Sequence, residues 1–422
     1  MSKEQLRAPR GTSDILPEDQ KYWRYVQYIF SKIALKYGFN RIDTPVIEQS
    51  NLFSRGVGEF TDVVEKETYT FSDRGGDSLT LRPEGTAPVC RSYLEHGMQN
   101  LPQPVRLFYQ FPMYRYERPQ AGRYREFRQA GIEVIGEHSP IVDLEVIQFA
   151  WELVSQLGLS NLDLIINSIG DEKCRDKYIT DLKLYYTNQF SKLDHPDCQR
   201  RLDSNTLRLL DCKNKNCQEL IKEAPRSLDY LCEGCLFHWN ELLEHLDSVG
   251  IPYRIDDTLV RGFDYYTKTV FEIVPENQES QNTILAGGRY DGLIEQIGGQ
   301  PTPGIGFAIG LDRVIMNLKS ENKISIDENY VKCFVAHNGE DAKKFAVQVV
   351  TELRNNGIRS ILGSPSRSLK SQMRYASSIK ALNAIIIGED ELKDLKLIFR
   401  NMLDSNQEKL DLNQIIQKIK TE

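Results

Sequence analysis

The 422-residue sequence contains no apolar run long enough to cross a bilayer, which takes about 20 mostly apolar residues. Its first residues, MSKEQLRAPRGTSD, hold no apolar signal core, so neither export nor membrane insertion is expected and the cytoplasm is the expected location. Eight cysteines at uneven spacing do not form the pattern of a disulfide framework; thiols or a metal site fit such a chain better. Charge of either sign is in no large excess, and a net charge of −7 gives no general attraction to nucleic acid. A GxxxxGK[ST] phosphate loop is also missing, and Gly304, Gly306 and Gly310 spell GxGxxxG, one residue off the dinucleotide fingerprint. Any phosphate binding therefore falls to arginines, whose planar, permanently charged groups offer bidentate donors.

Within those bounds the composition is that of an ordinary globular protein, 40% hydrophobic and 27% charged, with length for two or three domains. Charge is unevenly spread: from Tyr330 to Glu422 there are 15 Lys and Arg against 11 Asp and Glu, a balance of +4 that leaves −11 for the rest. A mildly basic end on an acidic body is compatible with RNA binding by that end.

The stretch from Arg106 to Gly136, RLFYQFPMYRYERPQAGRYREFRQAGIEVIG, organises the chain. Its period-2 alternation predicts two antiparallel strands joined by a basic turn from Arg118 to near Tyr124. Counting by twos puts Tyr109, Phe111, Met113, Arg115 and Glu117 on one face of the first strand, and Phe127, Gln129, Gly131 and Glu133 on one face of the second. The pairing gathers Arg115, Glu117, Gln129 and Glu133 onto one wall among aromatics. That describes the floor of a polar ligand site; the alternative is an edge hairpin whose charges pair with one another.

In chain order, the pattern predicts a helix from Asp14 to Gly38, capped by Asp14, with Pro17 in its first turn and an apolar stripe of Tyr22, Val26, Ile29, Phe30, Ile33 and Tyr37. A strand from Arg41 to Ile47, broken by Pro45, follows, then polar strands near Thr68–Phe71 and Leu79–Arg82, a helix over Ile141–Leu157 and a strand over Leu162–Ile169. Mixed strands flanked by helices indicate an α+β body with a largely antiparallel sheet. From Asp171 to about Gly250 the chain turns charged and helix-like, with four clustered cysteines, as in an inserted module. The body resumes with LVRGFDYYTKTVFEIV, read as a strand pair, then AGGRYDGL and TPGIGFAIGLDRVIM, a strand running into a helix with Arg313 near its start. A polar link from Lys319 to Asn329 precedes a tail whose order is βαβαβ with a parallel sheet. Arg115, Arg261 and Arg313 lie in polar-aromatic or Gly-rich contexts open to a phosphate. Gly304 and Gly306 either leave a flat surface for a base or ribose or serve close packing of strand on helix.

Taken together these motifs resemble the class II histidyl-tRNA synthetase family. GFNRIDTPVIE, the hairpin with YRYERPQAGRYREF, and GIGFAIGLDR are similar to the three class motifs; LVRGFDYY and AGGRYDGL to the two histidine-specific signatures; LRPEGTAP to the amino-acid-binding loop. The resemblance implies an α+β class II catalytic body on an antiparallel sheet flanked by helices, residues 1–328, interrupted by a helical insertion at 171–250, with a C-terminal α/β anticodon-binding domain at 329–422. It implies ligation of L-histidine to tRNA(His) with ATP through a histidyl adenylate, Mg²⁺ arriving with ATP, in a homodimer whose first helix and Pro45 strand have apolar surface to share.

By the same resemblance Arg115 and Arg261 would hold the α-phosphate and the carboxylate, Arg313 the γ-phosphate and adenine face, with Glu117 near the adenine. Glu84, Thr86 and Gln129 would take the ammonium, Gly85 letting the loop come close, and Glu133 and Tyr266 would engage the imidazole with Tyr265 beside them. Arg118, Arg123 and Arg125 would meet the acceptor stem. Arg359, Arg367, Lys370 and Arg374 are candidates for RNA backbone contact, or a solvated face. Cys212, Cys217, Cys232 and Cys235, spaced CxxxxC then CxxC, approach a structural zinc pattern; reduced, partly buried thiols are the alternative. A second function class is the catalytically silent regulatory subunit of ATP phosphoribosyltransferase in histidine biosynthesis, which shares the body but lacks the tail and has decayed signature residues.

Overall fold

The computed structural model describes residues 5–59, 61–118, 122–193, 195–212, 214–276, 283–321, 331–394 and 396–421. The chain divides into two compact units, residues 1–326 and 327–422. No helix among the described residues is long and apolar enough to cross a membrane.

In the first unit the strands are β1 (Asn40–Arg41), β2 (Ile47–Gln49), β3 (Tyr69–Ser72), β4 (Ser78–Leu81), β5 (Val105–Tyr114), β6 (Glu126–Ile135), β7 (Leu162–Ser168), β8 (Arg254–Ile255), β9 (Thr267–Pro275), β10 (Leu285–Arg289) and β11 (Gly304–Gly310). The main sheet runs β1-β5-β6-β11-β10-β9-β7-β8, antiparallel except at its edge pairs β1/β5 and β7/β8. β2, β4 and β3 form a small separate antiparallel sheet. The body is thus the expected antiparallel sheet with helices against it.

One face of the sheet carries the main core. Helix Gln20–Lys36 buries Trp23, Val26, Phe30, Ile33 and Ala34 against helix Pro140–Gln156 and β11. The Phe30, Phe149 and Phe307 rings meet there with centroids 5.4 to 6.4 Å apart. Three local expectations are corrected. The first helix begins at Gln20, not Asp14, because Asp19 and Gln20 bond back to Leu16 and Pro17 in a turn before it. The Pro45 strand is two short strands in two different sheets, since proline cannot supply a ladder donor between them. LVRGFDYY is a loop, and a single strand, β9, follows it.

Between β7 and β8 the helical segment folds partly on itself. Tyr178, Leu182, Tyr186, Cys198, Leu202 and Leu209 form a separate core, whereas Trp239, Leu242 and Leu246 of its last helix, Glu233–Val249, pack into the core of the body.

The second unit has β12 (Cys333–His337), β13 (Ser360–Leu362), β14 (Asn383–Ile387), β15 (Leu397–Asn401) and β16 (Gln407–Leu410), in the order β13-β12-β14-β15-β16. The first three strands are parallel, as the pattern predicts. β15 and β16 add an antiparallel hairpin that the βαβαβ reading omitted, and helix Leu412–Thr421 covers the same apolar cluster as helix Glu340–Asn355. Most of the expected polar link, from residue 322 on, lies outside the described residues.

Candidate active site

β5 and β6 pair as the alternation requires: Tyr109 stands opposite Gly131, Phe111 opposite Gln129 and Met113 opposite Phe127. Their shared face forms part of a cleft of about 970 Å³. The cleft also takes residues from the Glu84–Thr86 turn, the Arg261–Tyr266 loop, β10, β11 and the start of helix Leu311–Glu321. Glu84, Gly85, Thr86, Arg115, Glu117, Gln129, Arg261, Tyr265, Tyr266 and Arg313 all line it.

Glu133 does not line it. Gly306 would place a Cβ 2.0 Å from Glu133 Oε2, so the carboxyl lies directly over that glycine, beneath the cleft wall. There Glu133 Oε1 accepts a hydrogen bond from Thr86 Oγ1 (2.8 Å), and Oε2 accepts one from the Tyr290 hydroxyl (2.6 Å). A Cβ on Gly304 would likewise stand 2.2 Å from the Tyr290 ring. The two glycines therefore serve close packing by Tyr290 and Glu133, and the open backbone surface lies further along, at Gly310, where nothing approaches an added Cβ within 4 Å.

Carboxyls and tyrosines cluster in the cleft and beneath its wall. Glu84 caps helix Thr86–Glu95, accepting the amides of Thr86 and Ala87 at 2.8 Å each. Burial pushes its carboxyl up to about 7 against the pull of those amides. Burial likewise pushes Glu133 up to about 8, outweighing the hydrogen bonds from Tyr290 and Thr86. Tyr265 and Tyr266 are buried with ring centroids 4.6 Å apart, and Tyr290 meets Tyr265 edge-on at 5.9 Å. The Tyr109 ring crosses Gly85 and Gly131, where an added Cβ would come within 2.6 and 2.4 Å of it.

The same cleft holds three arginines, one of which, Arg261, lies 5.8 Å from the centre of the Tyr266 ring. Arg115 donates from Nε to the Pro83 carbonyl (2.9 Å), lies over the rings of Phe127 and Phe263, and stands 3.8 Å from Glu117. Arg261 is paired with Glu272, and its Nε has no hydrogen-bond partner among the described residues. Burial pulls the Arg261 guanidinium down, but Glu272, Tyr266 and Tyr265 together outweigh it and hold it above its ordinary value. Arg313 donates to the Thr283 carbonyl (2.8 Å); burial, then the nearby Arg123, lower it.

Several residues that close the site carried no sequence signal. His195, Arg201, Arg208 and Asp211 reach the cleft from the helical segment. Asp62 ties that segment to the body, accepting from Arg201 (2.7 Å) and Arg208 (3.3 Å), while Arg208 also donates to the Gly262 carbonyl (2.8 Å). These are contacts between segments far apart in the chain, which no local pattern encodes. Tyr290 and Glu272 were within reach, since both lie in or beside stretches already singled out.

Two further arginines of those stretches are structural. Arg82 is buried with its guanidinium 3.7 Å from the centre of the Phe111 ring, donating to the Thr44, Pro45 and Pro112 carbonyls, and burial lowers it to about 10. Arg289 is buried against Asp143 (2.7 Å), whose other oxygen meets His238 at 2.8 Å.

Of the basic residues considered for RNA, Arg118 and Arg123 are exposed, and Arg125 lies over the Tyr116 ring at 3.9 Å. Part of the turn between them lies outside the described residues. Arg359, Arg367, Lys370 and Arg374 are exposed on the second unit. The four cysteines Cys212, Cys217, Cys232 and Cys235 are not one cluster. Cys212 and Cys217 face Cys198 inside the core of the helical segment, at 3.0 and 3.5 Å from it, whereas Cys232 and Cys235 join Asp171 and Cys174 at its root. The two pairs belong to different clusters, which sequence proximity conceals.

A model of the family described as "Histidyl-tRNA synthetase" matches residues 11–314, and one described as "Anticodon binding domain" matches residues 332–422. The chain is 51% identical to a protein of Dehalococcoides mccartyi named histidine–tRNA ligase, over 98% of this chain and 99% of that one. It is 46% identical to the protein of the same name from Caldicellulosiruptor saccharolyticus, over 99% of each. Among solved structures it is similar to apo histidyl-tRNA synthetase of S. aureus, with a TM-score of 0.83 and 37% identity over 99% of this chain and 100% of that one.

Proposed function

Because the chain belongs to the histidyl-tRNA synthetase family, we propose that its cleft joins L-histidine to the terminal ribose of tRNA(His) with ATP, through an enzyme-bound histidyl adenylate. The observation that carries this reading is that one cleft holds both the Glu84 carboxyl with Tyr265 and Tyr266 and the guanidinium groups of Arg115, Arg261 and Arg313. An amino acid with a cationic ammonium and a two-nitrogen ring suits the first, and a triphosphate suits the second.

In the first step a histidine carboxylate oxygen attacks the α-phosphorus of ATP, forming the acyl–phosphate bond as pyrophosphate leaves. Arg115 and Arg261 stand for the cations at the α-phosphate and the carboxylate; loss of one such preorganised donor typically costs about 100- to 1,000-fold in rate. Arg313 takes the γ-phosphate and the adenine face, with Glu117 by the adenine. Mg²⁺ enters with ATP, as part of the substrate. Glu84, Thr86 and Gln129 receive the ammonium, Gly85 letting the turn approach. Tyr266, with Tyr265 beside it, and Glu133, acting from beneath through Thr86 and Tyr290, set the imidazole end. In the second step the ribose hydroxyl attacks the acyl carbon and AMP leaves.

Residues 1–328 supply the catalytic body, 171–250 the insertion and 329–422 the anticodon-binding unit. Arg118, Arg123 and Arg125 face the acceptor stem, and Arg359, Arg367, Lys370 and Arg374 the anticodon side. Exposed Tyr28, Leu35, Val46 and Ile47 favour a homodimer formed through the first helix and the Pro45 segment. The reading places the protein in the cytoplasm, with tRNA. The match over residues 332–422 and the intact cleft both speak against the silent regulatory subunit. Charging of a tRNA(His) transcript with labelled histidine tests the proposal: histidyl-tRNA formed with histidine and with no other amino acid is expected, and failure to charge with any would overturn it.

A further inference from the structure

The helical segment leaves and rejoins the sheet at two points that stand side by side. It leaves after β7 through Asp171, the N-cap of helix Glu172–Asn188, and returns through Cys232, the N-cap of helix Glu233–Val249. Where the two helix starts converge, Asp171, Cys174, Cys232 and Cys235 each present a ligand atom, all within 4.8 Å of one another. Cys174 Sγ lies 3.7 Å from Cys235 Sγ and 3.4 Å from Asp171 Oδ1, and Cys232 Sγ lies 3.9 Å from that same oxygen.

Those spacings fit one tetrahedral ion. The edge of a regular tetrahedron is about 1.6 times the centre-to-corner distance, so thiolates about 2.3 Å from zinc stand about 3.8 Å apart, and a carboxylate oxygen slightly nearer. The donor set is soft and closed, three sulfurs and one oxygen, as in structural rather than catalytic zinc sites. Each arm spans a helix's first turn, Asp-x-x-Cys in one and Cys-x-x-Cys in the other, where the helix dipole favours thiolate. The Asp171 amide already points at Cys174 Sγ, 3.3 Å away.

We propose that Asp171, Cys174, Cys232 and Cys235 bind one zinc ion that clasps the two ends of the insertion at its root. The clasp borders the cleft: Arg175, the residue after Cys174, donates to the carbonyl of Tyr266, and the Gly170 carbonyl accepts the Lys268 amide at 2.7 Å. The ion fixes the insertion's root against the strand that begins just after Tyr266. This inference does not depend on the ligase reading, and none of its four ligands lines the cleft.

The second thiol group, His195, Cys198 and Cys212 with Cys217 beside them, must be separated from this one in any test. The full-length protein is purified without chelator, and zinc is measured by plasma mass spectrometry. Wild type is expected to hold about one equivalent more than the Cys232→Ser/Cys235→Ser variant. Cobalt(II) added to a Cys198→Ser/Cys212→Ser variant is expected to give the thiolate-to-cobalt charge-transfer band and intense visible bands of a tetrahedral site. That second measurement keeps the test decisive if the Cys232→Ser/Cys235→Ser variant does not fold. Equal zinc in wild type and the Cys232→Ser/Cys235→Ser variant, a Cys198→Ser/Cys212→Ser variant without the cobalt bands, or a Cys174–Cys235 disulfide in the purified protein would each overturn the proposal.

Discussion

Glu84 and Glu133 converge on a single residue: Glu84 accepts the amide hydrogen of Thr86 and Glu133 accepts its hydroxyl hydrogen, each at 2.8 Å. Both carboxyls are raised by burial, to about 7 and about 8 respectively, so the free protein carries protons here that an exposed carboxyl would have lost. A bound cation favours ionisation of both.

The linkage gives a pH dependence with a definite sign. Between the ordinary carboxyl value of 4.5 and about 7 to 8, the folded protein binds protons that the unfolded chain does not, so ligand-free stability falls as pH rises through that window. Histidine affinity should move the other way, strengthening from about pH 6 to pH 8 as the carboxyls ionise. Calorimetric titration of histidine into wild type and Glu133→Gln checks this: the variant should bind more weakly at the upper end and show a flatter profile.

Packing over Gly306 supplies a second prediction. An alanine there would stand 2.0 Å from Glu133 Oε2 and 2.3 Å from the Ile132 carbonyl oxygen, and the backbone atom has nowhere to move. Gly306→Ala should lower the thermal midpoint by several degrees, since overpacking of this kind costs about 1 to 3 kcal/mol, and should abolish histidine binding. Gly310→Ala, with nothing within 4 Å, should leave the midpoint unchanged. Thermal unfolding of the two variants side by side reads the difference.

Arg261 and Glu272 form a largely buried pair, so removing the arginine leaves the Glu272 carboxylate with only the Thr283 hydroxyl, which donates to it at 2.7 Å. Arg261→Ala should therefore lose stability as well as rate, by about 3 to 5 kcal/mol on the scale of broken buried pairs. Arg261→Ala/Glu272→Gln should recover much of the stability and none of the rate. Denaturant unfolding combined with single-turnover adenylate formation separates the two effects.

What the sequence made legible follows the range of each signal. The β5–β6 hairpin was readable because alternation is local, and register then placed Tyr109, Gln129 and Gly131 together. The parallel strands of the second unit were readable for the same reason, whereas β15 and β16 were not, because strands of five and four residues leave little periodic trace. The motif glycines were visible but ambiguous: only the structure reveals that Gly304 and Gly306 make room for Tyr290 and Glu133. The sealing of the cleft by Arg201 and Arg208 through Asp62 joins residues about 140 positions apart, and the cysteines were mis-grouped because Cys174 lies 61 positions before Cys235 and spacing alone does not separate the Cys198–Cys212 pair from it.

The central claim is that this cleft activates histidine with ATP, and histidine-dependent exchange of labelled pyrophosphate into ATP tests it most directly, with the other nineteen amino acids as controls and Arg261→Ala beside wild type. The account predicts exchange with histidine alone, reduced about 100- to 1,000-fold in the variant. Exchange with no amino acid, or equal exchange in the variant, would contradict it.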